Sequence, residues 1–261
     1  SEFIHPGAAP LFKILGQWCL HMLLLRKTKL LHCHIWFDES LVKTANVEHY
    51  VFIDDIISEA DDAFLPKEEL RFAEETSREL DRFLDRNRNK TPVLLFGNVE
   101  LRKGGDFLFR LVADDTNLVL VRAGQDKPGM GYSWQTIFHK EELVKQDRLF
   151  EIPCYVNSQE LVNKLFQICP VISLPYKDFY RSSGNVFFAI RQQKPVLVPD
   201  TGLFRYRTLQ HQIGLTFKRG DFEDFRKQFH KLSANADAYR NNTTDYASHV
   251  SRQALFRKFD A

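Results

Sequence analysis

Several signatures of common protein classes are missing from this chain of 261 residues. The four cysteines form no CxxC pair and have no regular spacing, which favours free thiols in a reducing compartment over a disulfide framework. The run His32-Cys33-His34 has no second cluster of ligand residues in the sequence, so no metal site is expected. A formal net charge of +2 gives no general attraction for nucleic acid.

Long apolar runs are also missing. The apolar segment from Leu11 to Leu25 is interrupted by polar side chains and is too short and too polar to span a bilayer. Its pattern predicts an amphipathic helix packed on a core. The basic residues that follow leave open a peripheral membrane contact through residues 11–29. With no secretory signal evident, the sequence predicts a cytoplasmic protein.

The apolar and turn residues that are present change their pattern near residue 90. Upstream, a long charged helix is predicted from Lys67 to about Arg86. From residue 92, short apolar strands alternate with helices, which predicts an α/β fold with a Rossmann-like parallel sheet and helices on both faces. Three parts are expected: a partial or reduced N-terminal α/β region with the linking helix, a Rossmann-like domain, and a C-terminal helix that crosses back to the N-terminal side, in residues 4–88, 89–235 and 236–261.

Candidate binding residues lie in the loops that follow the predicted strands, where parallel α/β sheets bind their ligands. The first loop contains Gly97-Asn98 and Lys103-Gly104-Gly105, in which glycine lets the backbone approach a phosphate and lysine adds a cation. The GxGxxG fingerprint is absent, which disfavours a dinucleotide enzyme. The next two strands end in Arg122-Ala123-Gly124 and in Tyr155-Val156-Asn157-Ser158.

The most specific loop contains a serine-rich turn, and it reads Leu174-Pro175-Tyr176-Lys177-Asp178-Phe179-Tyr180-Arg181-Ser182-Ser183-Gly184-Asn185. Its serines stand where a helix is predicted to begin, so hydroxyl and main-chain N–H groups would converge on an anion. Lys177 and Arg181 would add positive charge. Serines that only cap the helix would have the same sequence, and the two roles are compatible.

Taken in order, these segments resemble the C-terminal domain of GT-B glycosyltransferases of the group 1, or family 4, type. The family pattern G-R-x4-K-G corresponds to Gly97-Asn98-x4-Lys103-Gly104 in this chain. The patterns ELxxLF and GKPVxxxDxG correspond to segments that begin at Glu160 and Gln193, and the second of them includes Lys194-Pro195-Val196. The resemblance extends without a break from residue 92 to residue 217.

The resemblance implies a domain that binds the diphosphate of a UDP-, GDP- or ADP-sugar without a further cofactor. It also implies sugar transfer to a glycan or lipid-linked acceptor in polysaccharide biosynthesis, with retention of anomeric configuration. Lys103 would neutralise the diphosphate, and Val156 and Asn157 would face the base. The implied donor-site residues are Gly97, Asn98, Lys103, Arg122, Gly124, Val156, Asn157, Tyr176, Arg181, Ser182, Ser183, Gly184 and Asn185.

The chain departs from the family pattern at charged positions. Asn98 replaces an arginine, and Tyr180 and Phe188 stand where the family has the acidic pair E-x7-E. These departures leave open a catalytically silent nucleotide- or glycan-binding partner subunit, or another nucleotide-sugar or phosphoryl enzyme on a Rossmann-like scaffold. The region before residue 89 is short for an acceptor domain, so a reduced or truncated one is expected. Catalytic residues stay unknown, and the candidates there are His32, His34, Asp38 and Glu39.

Overall fold

The computed structural model describes residues 34–36, 50–52, 62–97, 101–125, 134–177 and 183–250. The chain divides into two compact units, Ser1–Asp54 and Asp55–Ala261. In the first unit, β1 (His34–Trp36) and β2 (Tyr50–Phe52) form a parallel pair in which His34 lies opposite Tyr50. Both strands fall in segments whose apolar pattern predicts a strand. The predicted amphipathic segment at residues 11–29 lies outside the described residues.

The second unit begins with a 3-10 turn, Asp62–Phe64, followed by the long helix α1 (Lys67–Arg86). Pro66 precedes the first helical turn with φ −56°, a value that its ring fixes and that suits a helix start. The buried residues of α1 recur every three or four positions, as a helix packed on one face requires, and they are Ala73, Thr76, Leu80 and Phe83. This face packs against the Rossmann-like sheet and its helices.

The sheet of the second unit has the predicted parallel architecture. Its strands are β3 (Thr91–Phe96), β4 (Leu118–Ala123), β5 (Leu149–Ile152), β6 (Ile172–Ser173), β7 (Val196–Pro199) and β8 (Gly214–Phe217). Two ladders, β3-β4-β5 and β6-β7-β8, are entirely parallel, and β6 lies next to β3. The strand order is therefore 5-4-3-6-7-8, and it changes direction between β3 and β6. In sheets of this kind, that point opens a crevice for ligands.

Helices connect the strands and cover both faces of the sheet. They are α2 (Gly105–Asp114), α3 (Trp134–Lys145), α4 (Gln159–Gln167), α5 (Gly184–Arg191), α6 (Gly202–Gln210), α7 (Phe222–Ser233) and α8 (Arg240–His249). The helix predicted for residues 182–193 is shorter at both ends, since Ser183 is its N-cap and Gln192 its C-cap. Helix α8 ends at His249, with Val250 as its C-cap, and it packs against α5. Its predicted return to the N-terminal side stays a prediction.

The core lies on both faces of the sheet. Leu94 on β3 faces a cluster with α1, α4 and α5, whereas its neighbours Val93 and Leu95 face a cluster with α2 and α7. This alternation follows from the two-residue period of a strand. Each fully buried Leu, Val or Phe contributes about 1.5–3 kcal/mol to stability, so both layers hold the strand ends firmly. None of the described helices is long and apolar enough to cross a bilayer.

Candidate functional site

Three strands end at one level of the sheet. Phe96 lies opposite Ala123 and Ala123 opposite Ile152, so the loops after β3, β4 and β5 leave the sheet side by side. The hydrogen bonding continues one residue further. Gly97 N donates to Ala123 O at 2.8 Å, and Gly124 N donates to Ile152 O at 2.9 Å. Gly97 and Gly124 therefore lie together at the carboxyl edge.

Both positions require glycine. Their φ angles are +89° and +140°, where side chains are rarely accommodated. A Cβ atom on Gly124 would lie 2.1 Å from the carbonyl oxygen of Gly97, so the two loops approach each other more closely than any side chain permits. A Cβ atom on Gly97 would lie 2.5 Å from Nζ of Lys103, which places that ammonium directly beside the Gly97 backbone. The half-buried Gly97 backbone and the Lys103 ammonium therefore lie side by side.

The serine-rich turn meets Lys103 at the point where the strand order reverses. Nζ of Lys103 donates to the carbonyl oxygen of Phe96 at 3.3 Å, and Nδ2 of Asn185 donates to the same oxygen at 3.2 Å. Asn185 Nδ2 also donates to the Tyr176 hydroxyl at 3.0 Å, and that hydroxyl lies 3.4 Å from Ser183 Oγ. We call the five residues Phe96, Lys103, Tyr176, Ser183 and Asn185 the switch-point cluster.

Ser183 begins α5 as predicted. Its Oγ accepts a hydrogen bond from the backbone N–H of Asn185 at 3.3 Å, the usual role of an N-cap serine. Gly184 is the first helical residue, so the N-terminal end of α5 points its partial positive charge toward the switch-point cluster. A helix N-terminus, a lysine and glycine backbone together form an environment suited to an anion.

The contribution of Lys177 to the charge at this site stays a prediction, and the structure gives its ammonium a partner outside the switch-point cluster. Its Nζ forms an ion pair with Asp106 in the first turn of α2 at 2.8 Å, so its charge is already compensated. The loop after β6 is also pressed onto the loop after β3. Lys177 N donates to Arg102 O at 2.8 Å, and a Cβ atom on Gly104 would lie 1.8 Å from the carbonyl oxygen of Pro175. Lys177 and Gly104 hold the two loops together.

Arg122 lies within β4 and is buried, with 1% of its side chain exposed. Its Nη1 donates to Glu151 on β5 at 2.7 Å, and Lys140 lies 2.9 Å from the same carboxylate. A charge in a buried strand needs such a partner, since an unpaired one would be strongly destabilising. The printed sequence shows this charge inside an apolar run, yet only the strand register reveals its partner.

The loop after β5 is fixed by carboxylates that the sequence does not reveal. Val156 is buried, and Nδ2 of Asn157 donates to Glu69 of α1 at 2.6 Å. Ser158 caps α4 by accepting from Leu161 N at 3.2 Å, and its hydroxyl donates to Asp62 at 2.7 Å. Asp62 also accepts from the first amides of α4.

Burial alone would raise the pKa of Asp62. The hydrogen bonds from Glu160 N, Ser158 Oγ and Gln159 N act in the opposite direction, and the net effect lowers its pKa below the ordinary value for aspartate. The carboxylate is therefore held in its charged form at the N-terminus of α4. Asp62 lies in a segment whose sequence predicts only an acidic loop.

The remaining predicted site residues fall in three groups. Asn98, Arg181, Ser182, His32, Asp38 and Glu39 lie outside the described residues, and His34 is described only as part of β1. Phe188, at the second position of the expected acidic pair, packs its ring 5.5 Å from that of Phe166 and 6.3 Å from that of Phe96.

Within the described ranges, no group of three or more His, Cys, Asp or Glu side chains could hold a metal ion.

No protein family model matches the sequence, and no curated protein has a significant match to it. Solved structures are similar to it in fold. Sucrose-phosphate synthase from Thermosynechococcus elongatus aligns with a TM-score of 0.56 and 16% identity over 95% of this chain and 60% of its own. Anabaena Alr3699/HepE in complex with UDP aligns with a TM-score of 0.62 and 12% identity, covering 87% of this chain and 63% of its own.

WaaG, a glycosyltransferase involved in lipopolysaccharide biosynthesis, gives a TM-score of 0.54 and 15% identity, covering 93% of this chain and 66% of its own. The chain thus spans between 60% and 66% of the length of these three proteins. Identities of 12–16% show a shared fold and nothing finer. The chain has the α/β fold of the GT-B glycosyltransferases, with parallel sheets flanked by helices, as the order of its motifs predicts.

Proposed function

We propose that this chain binds the diphosphate of a nucleotide sugar and transfers the sugar to an acceptor. The observation that carries the proposal is the switch-point cluster, in which Lys103 lies beside the Gly97 backbone and opposite the N-terminus of α5. Lysine, glycine backbone and a helix N-terminus are the groups that proteins use to bind phosphate. Alr3699/HepE, which shares the fold, has been solved with UDP, with UDP and glucose, and with UDP-glucose.

The order of the loops supports one direction for the proposed nucleotide along the sheet edge. The diphosphate would lie at the carboxyl end of β3, between Lys103 and Gly184, and the base would lie along the edge toward the loop that follows β5. Strands β3 and β5 are two inter-strand spacings apart, roughly 10 Å. A nucleoside diphosphate in an extended conformation spans a comparable length. Val156 and Asn157 would then face the base, and Gly124 would lie near the ribose.

The chemistry follows from the charge of the leaving group. Breaking the bond between sugar and diphosphate leaves extra negative charge on the diphosphate, and a lysine with aligned N–H groups stabilises that charge without a metal ion. Asn98, Arg181 and Ser182 belong to the same two loops and are proposed to contribute. The donor would be a UDP-, GDP- or ADP-sugar, the acceptor a glycan or a lipid-linked glycan, and the anomeric configuration retained. A cytoplasmic location and a role in polysaccharide biosynthesis form part of the same proposal.

The proposal is tested by the thermal stability of the protein with UDP, GDP and ADP, together with turnover of the corresponding sugar donors. At least one nucleoside diphosphate should raise the melting temperature. Lys103→Ala should weaken that binding about 10- to 100-fold, because a hydrogen bond to a charged group contributes about 1.5–3 kcal/mol. Lys231→Ala is the matched control, since Lys231 is an exposed lysine on α7.

The outcomes separate the candidate functions. Binding with donor turnover supports the glycosyltransferase, whereas binding without turnover of any donor indicates a catalytically silent nucleotide-binding subunit. If no nucleoside diphosphate stabilises the native protein, and Lys103→Ala behaves as Lys231→Ala does, the proposed site is wrong.

A further inference from the structure

Asp62 occupies an unusual place for a residue so far from α4 in the sequence. Its carboxylate accepts hydrogen bonds from Gln159 N at 2.7 Å, from Glu160 N at 3.0 Å and from the Ser158 hydroxyl at 2.7 Å. The first two amides of α4 are thus satisfied from outside the helix, and Ser158 satisfies the third, Leu161 N, at 3.2 Å. We call the contact of Asp62 with Ser158, Gln159 and Glu160 the Asp62 latch.

The latch does more than complete a helix cap. Ser158 alone already provides the local cap that helices of this kind use. Asp62 adds a link between the 3-10 turn before α1 and the loop that leads into α4. A second carboxylate strengthens this link, since Glu69 in the first turn of α1 accepts from Asn157 at 2.6 Å. Both ends of the segment from residue 62 to residue 69 therefore contact residues 157–160.

The loop that the latch fixes is irregular and lies at the binding edge. It begins after β5, whose last residue, Ile152, accepts a hydrogen bond from Gly124. Within it, Val156 is buried but Tyr155 is 65% exposed, so apolar packing holds only part of the loop. Hydrogen bonds to Asp62 and Glu69 add polar contacts to this packing. A loop held in its binding conformation spares the ligand the entropy of ordering it.

We propose that Asp62 is a positioning residue for the base of the nucleotide. The inference rests on the proposed function, in which residues 156 and 157 face the base while Lys103 and α5 hold the diphosphate. Asp62 acts through the conformation of the loop and does not contact the ligand. Its removal should weaken ligands that have a base and leave ligands without one unaffected.

The test compares two ligands in the native protein and in Asp62→Ala. The ligands are the nucleoside diphosphate that the native protein binds and inorganic pyrophosphate, each measured by titration calorimetry. We expect Asp62→Ala to bind the nucleoside diphosphate about five- to tenfold more weakly, as the loss of a preordered loop predicts, with pyrophosphate changed less than about twofold. Asp62→Asn keeps an acceptor oxygen and should lose less. Glu68→Ala, in the exposed first turn of α1, is the control and should match the native protein.

Amide exchange tests the latch itself without a ligand. In Asp62→Ala, the amides of Gln159 and Glu160 lose their acceptor and should exchange faster, while Leu161, whose acceptor is Ser158, should change less. This pattern also shows that the variant is folded.

Three results would overturn the inference. An equal loss for nucleoside diphosphate and pyrophosphate would assign Asp62 a general electrostatic or stability effect. Unchanged nucleoside diphosphate binding in Asp62→Ala would show that the loop needs no latch. Failure of the native protein to bind any nucleoside diphosphate would overturn the proposed function, and this inference with it. The second result, with native binding intact, leaves the proposed function standing.

Discussion

Helices α4 and α5 both begin at the carboxyl edge of the sheet, and different groups surround their N-termini. At α4, the first amides are satisfied by Asp62 and Ser158, so the protein supplies its own anion. At α5, Ser183 caps one amide, and the neighbouring groups are a lysine and a glycine backbone. At this edge, side chains of the protein therefore satisfy the first amides of α4, whereas the described groups beside the start of α5 are those to which the proposed function assigns the diphosphate.

The comparison of α4 and α5 shows that a sequence pattern typical of an anion site does not indicate whether a side chain of the protein already occupies it. Asn157-Ser158 and Ser182-Ser183 are similar helix starts in the printed sequence. Within the described part of the chain, α4 differs from α5 in its contact with Asp62, which lies almost one hundred residues earlier. Variants that disturb the surroundings of one helix N-terminus and leave those of the other intact test this difference. Three variants follow, from the largest expected effect to the smallest.

The largest effect is expected for Gly104→Ala. The Cβ atom would lie 1.8 Å from Pro175 O, and the backbone at φ +66° would have to move. We expect a loss of about 2–4 kcal/mol in the free energy of unfolding, because overpacking adds to backbone strain. Gly220→Ala is the control, since Gly220 has φ +78° but open space around it, and about 1 kcal/mol is expected there. Urea unfolding measures both, and equal losses would contradict the close approach of the two loops.

A smaller effect is expected for Asn185→Ala in the switch-point cluster. The change removes hydrogen bonds to Phe96 O and to the Tyr176 hydroxyl, and we expect a loss of about 1–2 kcal/mol in unfolding free energy. The matched change, Asn157→Ala, removes one exposed hydrogen bond to Glu69 and should cost less than about 0.5 kcal/mol. Thermal or urea unfolding decides the order. A larger loss of unfolding free energy in Asn157→Ala would mean that the contacts near α4 contribute more to stability than those of the switch-point cluster.

The smallest effect concerns pH. Folding lowers the pKa of Asp62, so its stabilising effect is complete above the pKa of the unfolded chain, about 3.9, and is lost as the pH falls through the lower value of the folded state. Asp62→Asn should be less stable than the native protein by about 1 kcal/mol at pH 7. The difference should hold to about pH 5 and shrink below about pH 4. Urea unfolding across this range measures it, and a difference independent of pH would exclude the carboxylate as its source.

The sequence predicts the fold well because its signals are local. Apolar runs such as Val93–Leu95, several of them followed by glycine and a helix, locate the strands and their carboxyl edge. The contribution of Lys103, Ser183 and Asn185 to one cluster follows from the same logic, since consecutive loops of a parallel sheet meet at one edge. The similarity in fold between this chain and the solved structures agrees with the fold that the order of the motifs predicts.

The partners of individual charges are what the sequence cannot predict. Lys177 and Arg122 are both predicted near the ligand, which stays a prediction, and the structure pairs Lys177 with Asp106 and Arg122 with Glu151. Each partner comes from a different element, and side-chain direction and strand register decide the pairing. The Asp62 latch joins residues with no shared pattern, so composition and periodicity contain no trace of it.

The carbonyl oxygen of Phe96 accepts from two donors, Lys103 at 3.3 Å and Asn185 at 3.2 Å. A carbonyl has two lone pairs but needs only one donor to avoid the penalty of a buried, unsatisfied group. In the proposed function, the ammonium of Lys103 would turn toward the diphosphate, and Asn185 would still donate to the Phe96 oxygen. Lys103 could thus exchange the Phe96 carbonyl oxygen for the diphosphate without leaving that oxygen unsatisfied.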